Sequence, residues 1–271
     1  MTAEAVSRFG DATVRDRRYN SVARRVMLSF IVPAYNEELE LPSTLSAIHA
    51  AAAMNSEPYE IIVVNDGSTD ATATLAATGG ARLLTIHRRQ IAAARNAGAR
   101  QAQGDVLFFV DADTRIAPQH VSAALAALRN GCVGGGARID INEEIPPWAR
   151  IFVYVFGRLY FAANLGAGAF LFTSRALFER AGGFDEQLFA GEEVYFSRAL
   201  KKLGRFRLLA NPVVTSGRKL RMYPARQVLG GLVGIILRGR RGVESRDKLD
   251  LWYDGKRETE AREPAAENAR G

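Results

Sequence analysis

Apolar runs of strand length alternate with helix-forming segments in the first half of the chain, and this alternation limits the possible folds more than any other feature. The runs are MLSFIVPAY, EIIVV, RLLTI and VLFFV, and the segments between them are rich in alanine. Strands and helices that alternate at this spacing indicate a parallel sheet with right-handed crossover connections. The sequence therefore predicts an α/β fold of the Rossmann-like type, with a mostly parallel sheet flanked by helices.

Clusters of polar residues follow three of these runs directly. PAYNE closes the first run, NDGSTD follows the second, and DAD follows the fourth. The carboxyl ends of parallel strands lie at one edge of a sheet, where α/β proteins bind their ligands. The coincidence of three polar clusters with that edge, called the ligand edge below, predicts a binding site there.

Asp111 and Asp113 are the most informative of these polar residues. They stand at positions i and i+2 after an apolar strand, so both carboxylates can converge on one cation. Oxygen ligands of this kind suit Mg²⁺ or Mn²⁺, which commonly bridge to substrate phosphates. A turn or helix-capping role is the alternative, and the position at the ligand edge favours the functional interpretation.

Asp66 and the pair Glu192 and Glu193 have two interpretations each. Asp66 lies in a turn-forming NDGS cluster, and at a strand end its carboxylate is also placed to accept a hydrogen bond from a uracil or guanine base. Glu192 and Glu193 begin a predicted helix, where carboxylates interact favourably with the helix dipole. If they face the ligand edge, one of them would act as general base on an acceptor hydroxyl.

Six motifs in order resemble those of family 2 glycosyltransferases with the GT-A fold. They are VPAYNE, VVNDGSTDAT, AAARNAGA, FFVDADT, GGFDE and GEEVYFSRAL, and the resemblance covers about residues 28–217. It implies an inverting transfer of a sugar from a nucleoside-diphosphate sugar, linked to UDP or GDP, to an acceptor hydroxyl. It also implies a divalent cation, Mg²⁺ or Mn²⁺, at the Asp-x-Asp sequence.

The resemblance implies a role for each motif. The donor-binding residues would be Pro33, Tyr35, Glu37, Asp66, Arg95, Asp111 and Arg218. Asp113 would be the direct metal ligand, with Asp111 beside it. The family usually has Glu-Asp where this chain has Glu192 and Glu193, so Glu193 occupies the position of the usual base and Glu192 stays open as the alternative. The family's later QxxRW-type motif is not matched, and Arg218 would supply a cation to the diphosphate in its place.

Aromatic residues are concentrated after the Pro146-Pro147 pair and are predicted to be core residues, some of which could border the acceptor. They are Trp148, Phe152, Tyr154, Phe156, Tyr160 and Phe161, and Arg150 and Arg158 lie among them.

Positive charge is concentrated in residues 201–246, which contain twelve Lys or Arg residues and one acidic residue, Glu244. Such a block forms either a solvated basic face or a site for an anionic partner such as a diphosphate or a membrane surface. Within it, Val228–Leu237 precedes RGRRG and is predicted either as a buried helix or as a helix lying on an anionic membrane, which tilts the expected acceptor towards a lipid-linked one. No nucleic-acid-binding motif is present, so nucleic acid is not an expected partner.

The single cysteine, Cys132, excludes an intrachain disulfide framework and fits a reducing compartment. The polar start of the chain lacks the apolar core of a signal peptide, and no apolar stretch reaches the roughly 18 residues of a spanning helix. The expected location is therefore the cytoplasm, with the inner face of the membrane as a second option.

The predicted organisation is a mobile leader over residues 1–26, a single GT-A domain over residues 27–254 that includes the basic part 201–246, and a disordered charged tail over residues 255–271. The alternative to a transferase is a non-catalytic protein that binds a nucleotide sugar or a membrane surface. Such a protein would not depend on Asp113 and would not turn over a donor.

Overall fold

The computed structural model describes residues 26–141 and 143–244. Residues 1–25 of the predicted leader, residues 245 and 246 of the basic part and the predicted tail lie outside these ranges. The strands are β1 Leu28–Ala34, β2 Tyr59–Asp66, β3 Arg82–Ile86, β4 Val106–Val110, β5 Thr114–Arg115, β6 Gly134–Asp140, β7 Phe170–Ser174 and β8 Phe206–Thr215. The helices are α1 Leu41–Ala53, α2 Thr72–Thr78, α3 Ile91–Gln101, α4 Pro118–Arg129, α5 Pro147–Ala162, α6 Arg175–Ala181, α7 Glu192–Leu203, α8 Arg218–Met222 and α9 Ala225–Arg238.

These strands form one sheet in the order β3-β2-β1-β4-β7-β6-β8-β5. The strands β3, β2, β1 and β4 are parallel, which confirms the predicted α/β fold. Beyond β4 the sheet is mixed, since β7 runs antiparallel to both β4 and β6, while β6 and β8 are parallel. The direction of β7 follows from its connection, because β6 ends at the ligand edge, α5 comes next, and β7 starts from the same edge.

Both faces of the central strands β1 and β4 are buried, so successive residues of these strands enter two different cores. Phe30 and Phe108 belong to the core that is covered by α1 and α4, and their rings stack at 4.8 Å. Ile31 and Phe109 point to the opposite core, beneath α3, α6 and α7. Burial of both faces accounts for the nearly continuous apolar runs in β1 and β4.

Gly98 allows α3 to lie close against the sheet. A Cβ atom at this position would stand 2.4 Å from Cγ2 of Ile31 and 3.0 Å from Cγ2 of Val64. The absence of a side chain at Gly98 therefore brings the helix within reach of the ligand edge, where Arg95 of the same helix contributes to the site.

Helix α5 corrects the prediction that its aromatic residues are core. Only Ala149 of this helix is buried, while Tyr154 is 64% exposed and Leu159 is 69% exposed. Apolar composition leads to burial only where another element covers the helix, and α5 packs mainly against β6. Five of the six aromatic residues instead line the cleft described below, namely Phe152, Tyr154, Phe156, Tyr160 and Phe161.

Helix α9 also differs from the first of its two predicted placements. Val228 is buried, but Leu229 is 41% exposed and Val233 is 52% exposed. The prediction of a buried helix is therefore wrong for Leu229 and Val233. Within the described residues, no helix has the length and apolar character that crossing a membrane requires.

Candidate active site

A cleft of about 1510 Å³ opens at the ligand edge of the sheet. All ten of the predicted site residues line it: Pro33, Tyr35, Glu37, Asp66, Arg95, Asp111, Asp113, Glu192, Glu193 and Arg218. They come from the ends of β1, β2 and β4, from α3, and from the first turns of α7 and α8. The topology thus brings together residues that are up to 185 positions apart in the sequence.

Arg95 is the central buried cation of this cleft, with a side chain that is only 1% exposed. Its Nη2 atom donates to Oδ1 of Asp111 at 2.7 Å and its Nη1 atom donates to Oε1 of Glu192 at 2.5 Å. Burial alone would lower the pKa of Arg95, but the negative charges of Asp111, Glu192 and Glu193 outweigh it and raise the pKa above its usual value. Arg95 is therefore a permanent positive charge that fixes two carboxylates.

Gly168 makes room for this arginine. Its carbonyl oxygen accepts a hydrogen bond from Nη2 of Arg95 at 3.1 Å. A Cβ atom at position 168 would stand 2.7 Å from the same nitrogen. A side chain at position 168 would therefore displace the guanidinium of Arg95 from its present position.

Asp113 lies beside Arg218 and the end of β8. Its Oδ1 atom accepts a hydrogen bond from Oγ1 of Thr215 at 3.3 Å, and Oδ2 lies 3.7 Å from Nη2 of Arg218. Burial raises the pKa of Asp113 to about 6, Arg218 opposes this shift, and the negative charges of Glu37 and Asp111 add to it. The attraction of Arg218 therefore does not offset the cost of burying a negative charge on Asp113.

The donor atoms at Asp111 and Asp113 fit a divalent cation that arrives with a phosphate ligand. Among residues 26–141 and 143–244, no group of three or more His, Cys, Asp or Glu side chains is arranged to hold a metal ion. Mg²⁺ in nucleotide sites is commonly held by one or two protein carboxylates, with substrate phosphates and water completing its shell. The two carboxylates therefore suit a cation shared with a diphosphate better than a preformed protein site.

Glu192 and Glu193 occupy the first turn of α7, and the structure separates their environments. Glu192 is 3% exposed, and its carboxylate is held by Arg95. Oε1 of Glu193 lies 3.5 Å from the hydroxyl of Tyr160, on α5. Burial raises the pKa of Glu193 to about 8, and the negative charge of Glu192 adds to this shift. A group whose pKa lies near the working pH is suited to accept and release a proton.

Asp66 at the end of β2 organises the loop that follows β3. Its Oδ1 atom accepts a hydrogen bond from the backbone N–H of Arg88 at 2.6 Å, and Oδ2 accepts from the N–H of Gln90 at 2.8 Å. In this loop, the guanidinium of Arg89 lies 3.2 Å from the ring centroid of Tyr35. Asp66, Arg89 and Tyr35 therefore form one end of the cleft.

Sequence reasoning missed Arg89 and placed Tyr160 in an aromatic group that was predicted to be core, with some members bordering the acceptor. The signal for Arg89 was available, because HRRQ follows β3 at the ligand edge just as the other polar clusters follow β1, β2 and β4. Tyr160 carries no such signal, since it belongs to an aromatic run that composition alone indicates as core.

Arg218 was predicted to face a diphosphate and is found in a buried ion pair. Its Nη2 atom lies 2.5 Å from Oε1 of Glu37, which follows β1. Burial alone would lower the pKa of Arg218, but Glu37 and Asp113 raise it by more than burial lowers it. The side chain is therefore positively charged. Lys219 lines the cleft beside it.

The family model described as Glycosyl transferase family 2 matches residues 29–182, which is more than half of the chain. The undecaprenyl-phosphate 4-deoxy-4-formamido-L-arabinose transferase of Aeromonas hydrophila is 35% identical over 112 residues, which cover 39% of this chain and 34% of that protein. The chain thus spans about a third of the length of this relative.

Solved structures with the same fold bind nucleotide sugars. A mannosyltransferase from Pyrobaculum calidifontis in complex with GDP-Man and Mn²⁺ has a TM-score of 0.58 and 22% identity, covering 92% of this chain and 77% of that chain. Glucosyl-3-phosphoglycerate synthase from Mycobacterium tuberculosis in complex with Mn²⁺ and UDP-glucose has a TM-score of 0.55 and 20% identity, covering 82% and 81%. At these identities the likeness establishes the fold that the sequence motifs imply.

Proposed function

The chain belongs to glycosyl transferase family 2, and we propose that it transfers a sugar from a nucleoside-diphosphate sugar to a hydroxyl group of a lipid-linked acceptor, with inversion at the anomeric carbon. The observation that carries this proposal is that one cleft holds Glu193, a carboxyl with a raised pKa, together with the Asp111 and Asp113 pair. A general base and a diphosphate site in one cleft are the parts that a single displacement requires.

In the proposed reaction, Glu193 accepts the proton of the acceptor hydroxyl as its oxygen forms a bond to the anomeric carbon. The bond from that carbon to the diphosphate oxygen breaks, and its electron pair leaves with the nucleoside diphosphate. Arg95 holds the carboxylates of Glu192 and Asp111 in place. This assignment makes Arg95 a positioning residue and Glu193 the base.

Asp111 and Asp113 would hold Mg²⁺ or Mn²⁺, and such a cation supplies positive charge to the departing diphosphate. Arg218 and Lys219 are the positive side chains near these carboxylates, and we assign them to the same diphosphate. The Pyrobaculum calidifontis and Mycobacterium tuberculosis structures both contain Mn²⁺ together with a nucleotide sugar, which supports the proposed cation.

Tyr35, Pro33, Glu37 and Asp66 would form the nucleoside end of the donor site, with Asp66 accepting from a base N–H. Its two carboxylate oxygens already accept backbone N–H groups, and each oxygen retains a further lone pair. The two solved structures contain GDP-Man and UDP-glucose, so we propose either a UDP-linked or a GDP-linked sugar as the donor.

The lipid-linked acceptor is inferred from two features. The Aeromonas hydrophila relative is named for undecaprenyl phosphate, and the cleft continues from Glu193 along the apolar side chains of α5. A location in the cytoplasm, at the inner face of a membrane, is part of this proposal, as is membrane contact by Val228–Leu237.

Thermal unfolding of the full chain with nucleoside diphosphates, in the presence and absence of Mn²⁺, tests the donor site. A ligand that binds only the folded state raises the apparent stability, by about 2.7 kcal/mol at a hundredfold excess over its Kd. We expect one of UDP and GDP to raise the melting temperature more with Mn²⁺, and Asp113→Asn to lose this increment.

The matched control is Asp140→Asn, which removes a carboxylate from the same cleft away from the Asp-x-Asp sequence. A folded protein that no nucleotide stabilises would overturn the transferase proposal and favour the non-catalytic membrane-binding alternative. Stabilisation without release of nucleoside diphosphate from any donor and lipid-linked acceptor would favour a non-catalytic nucleotide-sugar-binding protein.

A further inference from the structure

Four large apolar side chains of α5 face solvent. Ile151, Tyr154, Val155 and Leu159 are 67%, 64%, 50% and 69% exposed. They recur at intervals of three and four residues, so they form one stripe along the helix, called the outer face of α5 below. Clustered exposed apolar side chains of this kind mark a surface that binds another partner.

The charged side chains of α5 itself are all positive. Arg150 and Arg158 are exposed on α5 itself. In α8, Arg218 and Arg221 are paired with Glu37 and Glu143, so the positive charge at this face comes from Arg150 and Arg158. A positively charged surface with protruding apolar side chains complements an anionic bilayer, whose lipid phosphates attract arginine and whose interior accepts apolar groups.

Topology places these helices at the same edge of the sheet. Strands β6 and β8 are parallel, so both end at the ligand edge, where α5 follows β6 and α8 and α9 follow β8. Tyr154 of α5 and Val228 of α9 line the same cleft. Helix α9 adds exposed Leu229 and Val233 near this cleft.

We propose that the outer face of α5 docks on an anionic membrane surface, with Ile151, Val155 and Leu159 inserted below the headgroups and Arg150 and Arg158 bound to lipid phosphates. This inference deepens the proposed function, since a docked cleft would open beside a lipid-linked acceptor. The docking itself requires no transfer reaction, so the two proposals can fail separately.

A second copy of the chain is a less suitable occupant. In a symmetric dimer, the outer face of α5 would meet the same face of its partner. Arg150 and Arg158 would then be opposed by like charges, because α5 contains no carboxylate to pair with them.

Co-sedimentation of the full chain with vesicles tests the docking. One set of vesicles contains phosphatidylcholine alone, and the other contains equal amounts of phosphatidylcholine and phosphatidylglycerol. We expect binding to the anionic vesicles, weakened by added salt. The combined variant Ile151→Ser, Val155→Ser, Leu159→Ser should bind them at least about tenfold more weakly, since three apolar contacts with the bilayer are lost.

The matched control replaces three exposed apolar side chains elsewhere, in the combined variant Leu39→Ser, Met54→Ser, Leu83→Ser. A second pair compares Arg158→Glu with Arg129→Glu, an exposed arginine of α4. Both control variants should bind the anionic vesicles as the wild type does. Thermal unfolding, with and without nucleoside diphosphate, verifies that each variant is folded and retains its donor site.

Vesicle binding that survives in the α5 variant would overturn the docking proposal. A wild-type protein that ignores vesicles but is stabilised by a nucleoside diphosphate would also overturn it, and would leave the proposed function standing. Light scattering that detects a dimer in the wild type and a monomer in the α5 variant would assign the face to self-association instead. Vesicle binding without any nucleotide effect would retain the docking and reject the transferase.

Discussion

The guanidinium of Arg95 donates a 2.5 Å hydrogen bond to the carboxylate of Glu192, which joins α3 to the first turn of α7. Because Arg95 also donates to Asp111, one buried side chain fixes the Asp-x-Asp loop relative to the helix that carries the proposed base. Glu192 is thereby engaged in an ion pair, which supports Glu193 as the residue that accepts a proton.

Replacement of Arg95 by methionine should destabilise the fold by about 3 to 5 kcal/mol, because it leaves two carboxylates without their partner in a buried site. Urea-induced unfolding measures the loss. The double variant Arg95→Met, Glu192→Leu should recover part of it, because it removes both ends of the ion pair. Arg100→Met is the control on the same helix, and since Arg100 is 65% exposed we expect a change below about 1 kcal/mol. Equal losses for the two single variants would contradict the proposed role of Arg95.

Asp111→Asn and Asp113→Asn should have opposite effects on stability at pH 8. Asp111 binds Arg95, so its replacement weakens a structural ion pair by about 1 to 2 kcal/mol. Burial raises the pKa of Asp113 to about 6, above its value in the unfolded chain, so ionisation of Asp113 costs stability as the pH rises through 6. Asparagine at 113 removes this cost and should raise the melting temperature, while both variants lose sugar transfer. A lower melting temperature for Asp113→Asn would count against this.

The part of the fold and site that the sequence predicted is the part governed by local rules. Buried parallel strands are apolar throughout and end in polar residues, so Asp66 and Asp111 could be placed at one edge before the structure was known. The same rule, applied to the residues after β3, would have added Arg89.

Other features depend on contacts that local patterns do not encode. The helical pattern alone does not distinguish Arg95 from an exposed arginine such as Arg100, and only the resemblance of AAARNAGA to a family motif singled it out. The direction of β7 follows from the position of α5, and the exposure of Leu159 follows from the lack of a covering element in the described chain. An apolar run indicates that another surface covers it, but not whether that surface belongs to the same chain.

Glu193→Gln should reduce transfer to a hydroxyl acceptor by roughly 100-fold or more, since the base is lost while the shape is kept. In the wild type, kcat/KM should rise with pH through about 8, as Glu193 loses its proton. Release of nucleoside diphosphate is measured with a polyprenyl-linked saccharide and, separately, with a polyprenyl phosphate. A lipid phosphate is already ionised and needs no general base. If the wild type transfers sugar to the polyprenyl phosphate and Glu193→Gln does so equally well, the proposed hydroxyl acceptor is excluded.

Stability should report the same carboxyl group without any substrate. The pKa of Glu193 in the folded state, about 8, lies above its ordinary value of 4.5. Between these two pH values the folded protein holds a proton that the unfolded chain has released, so its stability falls as the pH rises, and the loss is complete above 8. Glutamine cannot ionise, so Glu193→Gln does not undergo this loss. The melting temperature of Glu193→Gln minus that of the wild type should therefore increase from pH 5 to pH 9. Glu179→Gln, which removes an exposed carboxyl from α6, controls for the change in net charge. If the melting temperatures of the wild type and Glu193→Gln change in parallel over this range, Glu193 is ionised throughout. A rise of kcat/KM with pH would then have to come from another group.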